Sequence, residues 1–226
     1  MKEIRIGDSV LALLPVVKGL RTEGERAVQL IGPFRPEAVC LSVGREELLF
    51  LRDFERRLLQ GATREELIQE YGPEDFDPSN IEEEVYLENL RRFGEVEKPP
   101  PCFSAAVRFC VEHDIPCLPL DMEEQVFSAA YVHHVTTWDV IRRSWSKESL
   151  RRMGLPGTSA EELVEAFDKK VNFSEGYRAL ERAREEHMAK SLVRHARQYK
   201  RLFGLIEQER SRGVLQRLEE LPPLPI

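Results

Sequence analysis

The sequence predicts an α/β fold: a small parallel sheet opened by a βαβ unit, then a helix-rich C-terminal half ending in one long helix. Three observations carry that reading. An apolar stretch, Ile4–Val17, is joined by short connections to a segment of helical spacing and a second apolar run, Ala38–Val43. From Met122 onward the apolar residues recur at helical intervals. The 226 residues, 42% hydrophobic and 32% charged, suffice for a single domain, 1–226, with a buried core, and are too apolar for a disordered chain.

Each element has a local cause. Ile4–Val17 begins with alternation and becomes a continuous apolar run, the pattern of a strand buried on both faces. Thr22–Ile31 has helical spacing, with Thr22 and Glu25 in a capping-box arrangement and Gly32-Pro33 as the stop. Ala38–Val43 is short, β-branched and closed by Gly44, so it reads as a second buried strand. Strand, helix and strand in that order imply parallel pairing with a right-handed crossover. Helices are expected over Glu46–Leu59 and Arg64–Glu70. Residues 70–101 form an acidic, proline-bounded insertion: Glu70–Glu97 holds ten acids against two bases, with a loop-like Gly72–Pro78 and an acidic helix Ile81–Phe93. A helix Cys102–His113 leads into Ile115–Asp121, whose two prolines demote it to the edge or end of a sheet. Helices follow over Glu123–Trp145, Lys147–Met153 and Ser159–Asn172, and one long helix over 174–220, with Ser159 and Ser174 at helix starts. The proline-rich tail Leu221–Ile226 cannot continue it.

Composition excludes some functions. The net charge of -7 gives no whole-protein basic field for nucleic acid. The longest apolar run, Val10–Val17, is too short to span a bilayer, and the N-terminus lacks a signal-peptide layout. Four cysteines (Cys40, Cys102, Cys110, Cys117) in a chain this long are not a disulfide framework. A reduced, cytoplasmic protein without a membrane partner is expected.

The standard catalytic motifs are missing. There is no G-x-G-x-x-G after the first strand, and no P-loop, G-x-S-x-G or H-E-x-x-H. Adjacent His133 and His134 would diverge by about 100° on a helix, and Cys102, Cys110, His113 and Cys117 match no standard zinc spacing. Neither a metal nor a cofactor is expected. Two clusters of charge draw attention instead. On the long helix, Arg184, His187, Lys190, Arg194, Arg197 and Arg201 recur at helical intervals beside an apolar stripe from Met188 to Ile206. That face suits an anion, a nucleic-acid backbone or an acidic partner, but a solvated or ion-paired face is the better-weighted reading. Its pairing with the acidic segment of a second subunit would give a homodimer. At the carboxyl edge of the sheet, Lys18, Arg45 and Asp121 follow three successive strand-like runs, where α/β folds hold ligands; a salt-bridge cluster weighs evenly against a ligand site.

The run Cys102–Trp145 resembles the middle of TraB/PrgY-like proteins, within the wider set of Tiki-type metalloproteases and erythromycin-esterase-like and ChaN-like proteins. Leu118-Pro119-Leu120-Asp121 stands for its short strand ending in Asp, and Thr137–Trp145, with Arg142-Arg143 and Trp145, for its Arg-Arg/Trp helix. Ala183-Arg184-Glu185-Glu186-His187-Met188-Ala189 is similar to the family's E-R-D-x-Y-M-A, and Pro36-Glu37-Ala38-Val39 to its P-D-x-V. The departures fall on the metal site. Pro15-Val16-Val17-Lys18 stands in place of G-x-x-H, Leu41-Ser42-Val43 in place of V-E-L, and the C-terminal G-x-G-H has no match in Gly204–Gly213. An ammonium offers a metal no lone pair. The resemblance therefore implies a domain whose metal site is dismantled, a non-catalytic binding or regulatory protein. Its electropositive crevice (Lys18, Arg45, Asp121, Arg142, Arg184) would take a small anionic ligand or a protein partner. The alternative is a peptidase- or esterase-like hydrolase with a rearranged site, using Asp121, Glu185 and His187 with His133 or His134. Nucleic-acid binding through the basic helix face ranks last.

Overall fold

Gly7, with φ of 59°, folds the first apolar stretch back on itself. The expected single strand Ile4–Val17 is a hairpin: β1 (Lys2–Ile6) runs antiparallel to β2 (Ser9–Val16), with Ile6 opposite Ser9. Its alternating first half lies on the exposed edge, and its continuous apolar half is buried. The computed structural model describes residues 1–71, 81–152 and 155–220; the expected loop Gly72–Pro78, Met153 and the tail Leu221–Ile226 lie outside them.

After β2 come α1 (Arg21–Phe34), β3 (Ala38–Leu41), α2 (Arg45–Leu59) and α3 (Arg64–Tyr71). Then follow α4 (Ile81–Leu90) with a 3-10 turn, α5 (Pro101–His113), β4 (Cys117–Pro119), α6 (Glu124–His134), α7 (Thr137–Arg152) and α8 (Ala160–Val171). The chain closes with α9 (Glu175–Ala196), β5 (Arg201–Glu207) and α10 (Gln208–Glu220). The fold is α/β, with a sheet in the order β1-β2-β5-β3-β4 and every pairing after the hairpin parallel.

The long helix expected over 174–220 is thus two helices with a strand between them. The helix and its buried stripe end at Ala196, and Leu202–Ile206 is buried on both faces of the sheet. The three-and-four spacing of Tyr199, Phe203 and Ile206 is a coincidence of a run that is apolar throughout. β5 also inserts between β2 and β3, so the strands of the opening βαβ unit are parallel without being neighbours.

Two other expectations shift. The Thr22–Glu25 capping box is absent, because the Arg21 amide donates to Glu95 O at 3.0 Å and Leu20 holds the cap position. The helix expected over Glu123–Trp145 breaks at Val135–Thr136. There Thr136 and Asp139 cap α7 reciprocally, Asp139 N to Thr136 Oγ1 at 3.2 Å and Thr136 N to Asp139 Oδ2 at 3.0 Å. Ser159 and Ser174 cap α8 and α9 as expected.

One face of the sheet packs Ala12, Leu14, Val39 and Phe203 against α1, α2 and α5; the other packs Leu11, Leu13, Cys40 and Ile206 against α9 and α10. A third cluster, Val17, Leu20, Val85, Leu90, Leu163 and Val164, lies beyond the carboxyl end of β2. It draws the acidic segment into the domain through α4. α1 approaches α5 closely at Gly24, where an added Cβ would sit 2.8 Å from the Pro101 carbonyl oxygen. Gly24→Ala must push α1 from α5, and a loss of about 1–3 kcal/mol is expected in urea unfolding; an unchanged midpoint would contradict that packing.

Candidate functional site

The carboxyl ends of the parallel strands meet a cavity of about 560 Å³. Its floor is built by strand ends and the helices that leave them. Lys18 follows β2, and Gly19, at φ 99°, turns the chain away toward Leu20. Glu207 is the last residue of β5, its amide donating to the Ser42 hydroxyl at 3.2 Å. Glu209 and Arg210 lie in the first turn of α10, and Glu181 and Arg184 are one turn apart on α9. The roof is aromatic: Tyr86 from α4, Phe127 and Tyr131 from α6, and Phe167 from α8.

Six residues form an unbroken ion-pair chain under the cavity, four of them (Lys18, Glu181, Arg184 and Arg210) in its lining. Lys18 Nζ is 2.7 Å from Glu207 Oε1, and Arg210 bonds both Glu207 and, through Nε at 2.7 Å, Glu181. Glu181 in turn holds Arg184 at 3.1 Å, and Arg184 clamps Asp121 with Nε at 3.1 Å from Oδ2. Asp121 is oriented by the Met122 amide at 2.8 Å. Three cations face three anions, so the chain is neutral.

Burial and charge set the protonation of these groups. Burial opposes ionisation of Glu207, but Arg210 and Lys18 outweigh it and hold the carboxyl far below its usual range. Burial likewise opposes the Lys18 ammonium, and Glu207 and Glu47 hold it charged. Glu209 is pushed the other way: burial and the neighbouring Glu207 carboxylate raise it to about 7. Burial also raises Glu47 and Asp168. The cavity therefore carries a fixed neutral ion chain beside three carboxyls that resist ionisation.

Lys18, Asp121 and Arg184 share this chain, though only Lys18 and Arg184 line the cavity. Arg45 is 66% exposed and 3.9 Å from Glu123, and Arg142 stacks on Phe173 at 5.0 Å; neither is in the lining. The crevice is accordingly not electropositive: its bases are matched by Glu207, Glu181 and Asp121. Of the hydrolase candidates, Glu185 lies against Gly213 of α10, and half-buried His187 is lowered by burial; neither lines the cavity with Asp121's partner. His133 and His134 stand with ring centroids 4.7 Å apart outside the lining, and all four cysteines are free and buried. Among the described residues no group of three or more His, Cys, Asp or Glu is placed to hold a metal ion.

The basic stripe is dispersed. Arg184 belongs to the ion chain, Lys190 pairs with Glu186 at 2.6 Å, and Arg201 sits on β5, donating to Phe34 O at 3.2 Å. The acidic segment pairs within the chain as well, Glu82 with Arg143 and Glu83 with Lys98 at 2.7 Å. These pairs tie the acidic segment to α7 and to Lys98, not to the basic stripe. Among the described residues no helix is long and apolar enough to cross a membrane.

Sequence reasoning missed Glu47, Glu181, Glu207, Glu209 and Arg210. The last three follow from reading β5 as helix. Five consecutive apolar residues, Leu202–Ile206, with a glycine inside, were the available signal, since a buried parallel strand has that composition. Comparison of the chain with protein-family models and with curated proteins found no match to either.

Proposed function

We propose that this chain is a TraB-like domain without metal chemistry, a binding protein whose small-molecule ligand enters the cavity at the carboxyl edge of the sheet. One observation carries it: where the resembling family places its first metal-ligating His, Lys18 holds an ammonium 2.7 Å from Glu207. A fixed cation there repels a metal ion and already neutralises the carboxylate beside it. The cavity also holds the carboxyls of Glu47, Asp168 and Glu209, outside the ion chain, and the aromatic roof. An uncharged or cationic ligand rich in hydrogen-bond donors suits them, since a carboxylate accepts donors and an aromatic face attracts cations. A free anion would have to displace an existing ion-pair partner.

Metal stoichiometry tests the reading. Protein stripped and re-exposed to Mn, Zn and Co is expected to retain well under one ion per chain; one tightly held ion would overturn it. Thermal shifts with a panel of amines and inorganic phosphate test the ligand's sign. Stabilisation by amines alone is expected, and stabilisation by phosphate would restore the anionic reading.

The Glu207–Glu209 pair favours a second reading, acid–base hydrolysis. Glu209 lines the cavity with its carboxyl raised to about 7, the range general acid–base work uses, while Glu207 beside it is held ionised by Lys18 and Arg210. Hydrolysis of an ester or peptide panel that is lost in Glu209→Gln would select it over pure binding.

A further inference from the structure

The two outer strands of the sheet differ in how their free edges are closed. β4 is three residues long and ends in Pro119, which cannot donate to a further strand. β1 is five residues long and has no proline. It lies at the other end of the strand order, with no strand beyond it among the described residues. Such an edge is a template for another strand unless charge blunts it. The chain's own tail, Leu221–Ile226, follows α10, whose Glu219 pairs with Lys2 at 3.4 Å, but its three prolines leave too few N–H groups for a ladder.

The hairpin fixes which backbone groups face that edge. Ile6 and Ser9 close its two-residue turn as a hydrogen-bonded pair, and bonded and non-bonded pairs alternate along an antiparallel ladder. Arg5 and Val10 are therefore a non-bonded pair, and the Val10 amide indeed donates away from β1, to Lys200 O at 2.8 Å. By the same alternation the N–H and C=O of Glu3 and Arg5 point outward, while those of Ile4 are spent on β2.

A second β1 laid antiparallel on this edge must bond through these same two residues. Centred on Glu3 or on Arg5, the pair sets like charges face to face. Centred on Ile4, it sets Glu3 of each copy against Arg5 of the other, and opposite charges directly across a ladder attract. Glu3 and Arg5 are exposed, and on the other face Ile4, packed against the cluster of Leu11 and Leu13, would meet its own copy. We propose that β1 pairs with β1 of a second copy in this register, making a homodimer with one continuous sheet. The contact uses neither the acidic segment nor the basic helix face, and no residue of β1 lines the cavity.

Sedimentation equilibrium of the full chain from micromolar to about 1 mM tests this, a range set by the small size of a two-strand contact. A reversible monomer–dimer equilibrium is expected. Arg5→Glu and Glu3→Arg each set like charges against one another at both ends of the pair, and each should weaken the dimer about tenfold or more. Both side chains are exposed, so the fold is retained. An equimolar mixture of the two variants should associate as tightly as the parent, since one copy then brings only arginines to the pair and the other only glutamates. Native mass spectrometry should show the mixed dimer. A parent that stays monomeric throughout, a dimer that Arg5→Glu leaves unchanged, or a mixture no tighter than its components would each overturn the proposal.

Discussion

Glu207→Gln is expected to be the most destabilising single substitution in the ion-pair chain, at about 3–5 kcal/mol in denaturant unfolding. The carboxylate faces two cations, Lys18 at 2.7 Å and Arg210, and its residue is 2% exposed. An amide keeps the shape but removes the charge, so the Lys18 ammonium and the Arg210 guanidinium are left beside each other in a poorly solvated place. Solvent reaches Lys18, whose side chain is 37% exposed, and trims the penalty there; it does not reach Arg210, at 11%. For a chain of this length the loss lowers the melting temperature by about 6–20 °C. The double variant Lys18→Met/Glu207→Leu should recover part of it, because replacing both partners by apolar groups removes the desolvation of each. A Glu207→Gln protein within about 1 kcal/mol of the parent would show that the chain contributes little to stability.

The same residue shows what the sequence could and could not reveal. Lys18, Asp121 and Arg184 were legible because they follow strand-like runs or sit in a motif-like segment, and ligand sites collect at carboxyl edges. Their partners were hidden by the secondary structure assigned around them. A residue at position 207 of a continuous helix would lie far from Lys18. As the last residue of β5, paired in register with Val16, it lies beside it. Charge sign was misjudged for the same reason, since the bases were visible and the acids that match them were placed elsewhere. The α/β class and the edge position of β4 needed only local apolar runs and two prolines, which tertiary context did not override. The Thr136–Asp139 cap was also readable, but it lay inside a stretch of good helical spacing, and spacing alone does not reveal a break.

Glu209 predicts the pH dependence of stability. Its carboxyl titrates at about 7 in the folded chain against an ordinary 4.5 in the unfolded one, so between those values the native state binds more protons. Stability must then fall as pH rises through that window and level off above it, by about 3 kcal/mol in all. The helix start favours an ionised Glu209 and works against this shift, but only by a fraction of a kilocalorie per mole to about one. Glu207 has the opposite sign: its depressed affinity for protons contributes stability that is complete above the unfolded value and is lost as pH falls below it. The two slopes meet near pH 5, where the protein should be most stable. Glu209→Gln, which cannot ionise, should match the parent near pH 4, exceed it by about 2–3 kcal/mol at pH 8, and lose the decline between pH 5 and 7. Parallel profiles for the two proteins across that range would mean that Glu209 is ionised throughout. The same profile bears on function, because a ligand carrying an ammonium into the cavity would pull Glu209 toward its ionised form. Binding of such a ligand should therefore release a proton near pH 6, read as a buffer-dependent heat of titration.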